Sequence, residues 1–153
     1  MTFSSDILIR ILILALSSCG FIVARHIYKH KKPEHTPLVC PAGFDCNAVV
    51  NGSYSKFMGM PIEIFGMIYY ALISIAYIFI IFMPNSLPYI LVAFLIVSSL
   101  GAFLFSIYLI IVQIFVIKEG CSWCLFSALI SILIFILTIF AYDFLGMLQA
   151  FMK

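Results

Sequence analysis

Four long apolar runs, divided by one sizeable polar stretch and two short breaks, organise the chain. The runs fall at about 7–27, 62–83, 89–117 and 121–142, and each supplies the roughly 20 apolar residues that an α-helix needs to cross a hydrocarbon core. The pattern therefore predicts an all-α integral membrane protein: a four-transmembrane-helix bundle forming a single domain over 1–153. Pro61 suits the first turn of the second helix and Glu63 its positive end. Pro84-Asn85-Ser86-Leu87-Pro88 and Lys118-Glu119-Gly120 read as turns. The third run is longer than a bilayer requires, which predicts tilt or protrusion, with Gln113 one turn from its far end.

The polar stretch, 28–61, predicts an exposed loop between the first two helices. It follows a basic cluster that starts at Arg25 and passes into Cys40-Pro41-Ala42-Gly43-Phe44-Asp45-Cys46. Gly43 permits a bend between the cysteines. Asp45 is a natural N-cap for a short helix ending at Gly52. His26, His30 and His35 lie among lysines and apart from the cysteines, as on a solvated face rather than at a metal site.

Composition narrows the class. At 65% hydrophobic and 9% charged residues the chain departs from soluble globules, whose apolar share is nearer ~45–50%. A net charge of +2 with no basic stripe gives no footing for nucleic acid. Leu16-Ser17-Ser18-Cys19 fits a lipoprotein cleavage box, but the apolar run continues through Phe21-Ile22-Val23. Cys19 is thus expected to be a packing residue in mid-membrane, remote from the other four cysteines.

Those four carry the candidate chemistry. Cys121 and Cys124 open the fourth helix at i and i+3, on one face and close enough to bridge. The unpaired N–H groups at that helix end favour a thiolate, at Cys121 most directly. An even number of crossings puts Cys40, Cys46, Cys121 and Cys124 on one membrane side. One pair in a loop and one at a helix mouth suit a relay by thiol–disulfide exchange, from a protein dithiol to a two-electron acceptor dissolved in lipid.

Cys40-x5-Cys46, Asn51-Gly52-Ser53-Tyr54-Ser55-Lys56, Gly59-x-Pro61, Phe65-Gly66 and then Cys121-x-x-Cys124 after two further crossings resemble the vitamin K epoxide reductase family in its bacterial form. The resemblance implies four helices around a quinone pocket and a role in disulfide formation. It implies re-oxidation of a separate DsbA-like thioredoxin-fold partner, with electrons passed to ubiquinone or menaquinone. By position, Cys40 and Cys46 would be the shuttle pair and Cys121 and Cys124 the active-site pair. Cys124 would face the quinone, Cys46 would reach Cys121, and Cys40 would meet the partner. Many bacterial relatives carry a fused thioredoxin-like domain; this chain ends at Lys153, so the partner is expected to be another polypeptide. The family's serine or threonine six residues after the second loop cysteine is here Gly52, with Ser53 beside it.

Candidate quinone contacts are Ser53, Glu63, Phe65, Gln113 and Trp123, with Phe57 and Phe126 as further aromatic walls. At 16% of residues, aromatics would line any pocket here, so core or lipid-facing packing is the better account of each. Rival readings are a structural zinc site, for which Cys-x5-Cys is a poor chelating spacing, a non-catalytic membrane subunit, and a quinone or vitamin K epoxide reductase with no role in protein folding. DsbB-like proteins carry their two kinds of cysteine pair in the opposite order.

Orientation divides the signals. Arg25, Lys29, Lys31, Lys32, Lys56 and Lys118 lie on the cysteine side and Arg10 and Lys153 on the other, which by charge alone favours a cytoplasmic cysteine face. Disulfide formation belongs to an oxidising compartment. The expectation is a multi-pass protein of a bacterial inner membrane with its cysteines facing the periplasm.

Overall fold

A computed structural model of the chain describes residues 3–31, 39–41, 43, 45–83, 88–142 and 152. The first helix, α1, runs Phe3–His30, and α2 is a short helix at Cys46–Val50. A single 3₁₀ turn, Ser53–Ser55, leads into a hairpin of β1 (Lys56–Phe57) and β2 (Met60–Pro61). Then come α3 (Ile62–Phe82), α4 (Tyr89–Ile111) continued by a π-helical stretch Val112–Ile117, and α5 (Ser122–Tyr142). Four segments are long and apolar enough to span a membrane: Asp6–His30, Ile62–Phe82, Tyr89–Ile117 and Ser122–Tyr142. The protein is a four-helix membrane bundle.

Two boundaries and one added element differ from the hydrophobic pattern for local reasons. Residues 28–30, expected in the loop, complete α1, because Lys29 and His30 stabilise the negative end of a helix and so extend it past the apolar run. Pro61 sits one position before α3, as its N-cap with φ −60°, and doubles as the end of β2. The hairpin itself was not foreseen. Its turn places Met58 at φ 52° and Gly59 at φ 84°, the paired positive angles of a tight two-residue connection. The ladder pairs Lys56 with Pro61 and Phe57 with Met60. The predicted turn at Pro84–Leu87, the segment Lys32–Leu38, and Asp143 and Lys153 lie outside the described residues.

In lipid, helices associate through close packing and hydrogen bonds rather than by escaping water. Small residues do this between α1 and α3. A Cβ on Gly20 would fall 2.5 Å from the Tyr70 ring, so the ring lies against bare α1 backbone, and one on Gly66 would rest on the Ala24 methyl. Ser17 Oγ and Ser74 Oγ meet at 2.8 Å across the same interface. Tyr70 Oη then reaches α5, donating to the Ser127 carbonyl at 2.7 Å. Ile13, Ile73, Tyr77, Leu95 and Ile134 fill the centre. Helix α1 packs along α3 and α5, and α4 along α5, but α3 and α4 barely touch. A cavity opens at that gap.

Candidate active site

The short helix α2 begins where Asp45 accepts the Ala48 N–H at 3.2 Å, a cap worth about 1 kcal/mol. It closes through Asn51 N–H donating to the Asn47 carbonyl. A Cβ at Gly52 would sit 2.8 Å from the Ala48 carbonyl oxygen, so the glycine fits the tight exit from the helix. Its neighbour Ser53 is exposed on the following turn.

Helix α2 presses Cys46, Val49 and Val50 into an apolar cluster with Val23, Ile27 and Cys121. Cys46 and Cys121 are completely buried there. Cys40 and Cys46 form a disulfide with their Cα atoms 5.9 Å apart. The Sγ atoms of Cys40, Cys46 and Cys121 all lie within 4.8 Å of one another. Two distant parts of the chain thus bring three sulfurs into exchange range.

Cys121 stands immediately before the fourth span, and its Sγ accepts the backbone N–H of Cys124 at 3.3 Å. The Cys124 thiol hydrogen bond holds the Cys121 thiol below its ordinary range, against the opposing pull of burial, with backbone N–H groups of Cys124 and Trp123 assisting. Such a sulfur attacks as thiolate. Both Cys121 and Cys124 are free thiols. With the loop disulfide closed, Cys121 is the one free thiol of the three clustered sulfurs.

The segment carrying Cys40 is pinned over this helix mouth. Ser122 Oγ donates to the Pro41 carbonyl at 3.0 Å and Trp123 Nε1 to the Val39 carbonyl at 3.1 Å. The centre of the His26 ring lies 4.8 Å from that of Trp123. Lys31, just past α1, donates to Glu63 Oε2 at 3.1 Å and to the Ser55 carbonyl at 3.2 Å. One ammonium therefore ties the end of α1, the 3₁₀ turn and the start of α3 together.

Cys124 faces inward, onto a cavity of about 440 Å³ between α3 and α4. That is the size of a small-molecule site. Glu63, Phe65 and Phe57 border it, as do Tyr69 and Tyr70. From α5 it is bordered by Cys124, Ser127, Ala128 and Ser131, the i, i+3, i+4, i+7 stripe of one helix face.

Of the sequence-derived contacts, Glu63, Phe65 and Phe57 border this cavity; Ser53, Gln113 and Trp123 do not. Gln113 is buried within the π-helical stretch, its Oε1 without a hydrogen-bond partner among the described residues. Trp123 belongs to the clamp on the Cys40 segment, and Phe126 to a shallow groove on another face of α5. Cys19, expected to pack, is exposed on α1. Sequence reasoning missed Tyr69, Tyr70, Ser127 and Ser131. The small-residue stripe on α5 was the one signal that could have found the last two.

The sequence pattern of the Vitamin K epoxide reductase family matches residues 11–139, which contain the greater part of each spanning helix and Cys40, Cys46, Cys121 and Cys124. The chain belongs to the Vitamin K epoxide reductase family. Among curated proteins, none matches it significantly. Membership of this family fits a membrane thiol oxidoreductase, and the sulfur geometry is what such chemistry needs: an oxidised outer pair, a reduced inner pair and a buried contact between them.

Proposed function

We propose that the protein generates disulfides. It takes two electrons from a separate DsbA-like thioredoxin-fold protein at Cys40/Cys46, moves them to Cys121/Cys124, and delivers them to ubiquinone or menaquinone in the cavity beside Cys124. The observation that carries this reading is the convergence of Cys40, Cys46 and Cys121 sulfurs within 4.8 Å, with Cys124 alone of the four bordering the apolar cavity. Each sulfur then has a task. Cys40, half-buried, is open to a partner's thiolate; Cys46, in the core, attacks Cys121 once the loop pair is reduced.

The exchange steps balance simply. A partner dithiol and the loop disulfide trade places, giving an oxidised partner and two loop thiols. These then reduce a Cys121–Cys124 disulfide and re-form their own. The state described here, with the loop pair joined and the inner pair free, is the one that follows this second exchange. Quinone supplies the two-electron sink. Toward it the chain offers a partly open apolar space, aromatic side chains at Phe57 and Phe65, and a sulfur at the wall.

The proposed setting is a bacterial inner membrane with the cysteines on the periplasmic side. Labelling of Cys40→Ser cells, in which Cys46 is left as a free loop thiol, with a membrane-impermeant thiol reagent after denaturant pulses distinguishes the faces. Protection until lysis would place the cysteines in the cytoplasm. For the reaction itself, purified protein should bleach added ubiquinone or menaquinone only when a reduced thioredoxin-fold protein or small dithiol is present. Retention of stoichiometric zinc by the reduced protein, with no bleaching, would favour a structural metal site instead.

A further inference from the structure

Opening the loop disulfide releases two thiols beside a third. The Sγ atoms of Cys40, Cys46 and Cys121 form a triangle with no side longer than 4.8 Å. The Cα atoms of Cys40 and Cys46 are 5.9 Å apart, so side-chain rotation alone separates their sulfurs once the bond between them is gone. Around this triangle the lining is apolar: Val23, Ile27, Val49 and Val50 pack with Cys46 and Cys121 in one buried cluster. Two corners are sealed from solvent, and the third, Cys40, is half-buried and gives access. Three soft donors in a dry enclosure with one open corner select a particular kind of ligand.

We propose that, with both cysteine pairs reduced, Cys40, Cys46 and Cys121 form a three-sulfur site for the uncharged trivalent oxyacids of arsenic and antimony. Its occupation during turnover rests on the reading that the loop disulfide opens to accept electrons from a partner. The chemistry is ligand exchange. Three thiol protons combine with the three hydroxyl groups of arsenous acid and leave as three waters, while three As–S bonds replace three As–O bonds. Arsenic stays trivalent and no electron moves. The product carries no net charge, which suits an apolar enclosure. A divalent cation held by the same three thiolates would leave one negative charge buried there without a partner, so the trio discriminates against zinc.

The fourth sulfur stays outside: Cys124 borders the cavity and is not a corner of the triangle. Occupation therefore needs the loop pair open and Cys121 released from Cys124 at the same moment. That condition is met when dithiols are plentiful and the acceptor is scarce, because the inner pair then stays reduced while a partner dithiol opens the outer one. A bound arsenic atom ties up every sulfur that exchange between the pairs requires. An acceptor that keeps Cys121 joined to Cys124 removes one corner and protects the protein.

Titration of the purified full-length protein with arsenite, in the absence of quinone and partner, tests this. Protein reduced with a phosphine should bind one equivalent, and X-ray absorption at the arsenic edge should show three sulfur neighbours and no oxygen. Protein with its loop disulfide intact keeps only one corner of the triangle free, so it should bind at least about 100-fold more weakly, the gain expected of further tethered ligands. Among variants, reduced Cys124→Ser should keep the tight site and reduced Cys40→Ser should lose it by a similar factor. Two sulfurs and an oxygen at arsenic, or equal affinity in the disulfide form, would show chelation by Cys121 and Cys124 alone and overturn the triangle. Both of those readings come from the wild-type chain, so the answer does not depend on how a variant folds. Tight three-sulfur binding by a protein that never bleaches quinone would keep the site and remove the proposed function; two-sulfur binding by a protein that does bleach it would do the reverse.

Discussion

The two cysteine pairs are built on opposite plans. Cys40 and Cys46 are joined by a disulfide, and among the described residues hydrogen bonds from Ser122 to the Pro41 carbonyl and from Trp123 to the Val39 carbonyl hold the chain on either side of Cys40. Cys121 and Cys124 stand at the first turn of a membrane-spanning helix, where backbone geometry sets their separation. Cys46 and Cys121 are nevertheless buried together where the pairs meet, while Cys40 is half-buried in the loop and Cys124 borders the cavity. The difference is one of anchoring: side-chain hydrogen bonds hold the segment that carries Cys40, whereas the backbone of a spanning helix sets the pair beside the cavity.

The sharpest way to break this comparison is to remove the inner contact. Cys46→Ser or Cys121→Ser should lower partner oxidation by at least about 10³-fold, since the intermediate disulfide between the pairs can no longer form. Cys124→Ser should instead accumulate a Cys46–Cys121 mixed disulfide, visible as a mobility shift on non-reducing gels. Comparable turnover in Cys46→Ser would show that electrons bypass the loop pair.

A smaller effect separates the pairs by acidity. With Cys46 replaced by Ala to admit reagent, alkylation of Cys121 should have its midpoint below the ~8.5 of an ordinary thiol, because its thiolate is favoured by the Cys124 thiol. The added Cys124→Ala substitution should move that midpoint upward. The sign follows from which form is stabilised: a depressed thiol pKa leaves the nucleophile present at lower pH and lost only as pH falls through that value.

Smaller again is the clamp on the loop. Trp123→Phe deletes the bond to Val39 and keeps the aromatic ring beside His26, so reduction of the Cys40–Cys46 disulfide by a dithiol should quicken a few-fold, as loss of one partly exposed bond implies. Lys31→Met frees Glu63 and the Ser55 carbonyl; unfolding in detergent should become easier by about 2 kcal/mol, less than the roughly 3–5 of a fully buried pair. Cys19→Ser, far from both pairs, should leave partner oxidation unchanged.

Much of this was legible in the chain. Apolar runs set the four helices, because a bilayer leaves a spanning segment little choice of conformation, and an even number of crossings brought the four cysteines to one end. Asp45 announced the short helix through its capping chemistry. The hairpin was hidden because Met58, not a glycine, takes the first positive φ of its turn. The cavity wall was hidden for another reason. Where every face of a helix is apolar, sequence gives no sense of its rotation, so nothing distinguished Tyr69 on the cavity from Ile68 on the outside. Gln113 illustrates the same point in reverse: the π-helical stretch turns it into the protein, away from the cavity residues.

Gly20 does not border the cavity, yet the Tyr70 ring that does border it lies flush on its backbone. A single methyl added there could not coexist with the ring where it lies, so the ring would have to leave its seat on α1. The shape of the chamber is thereby tied, through Tyr70, to a position on α1 that does not itself reach the lining.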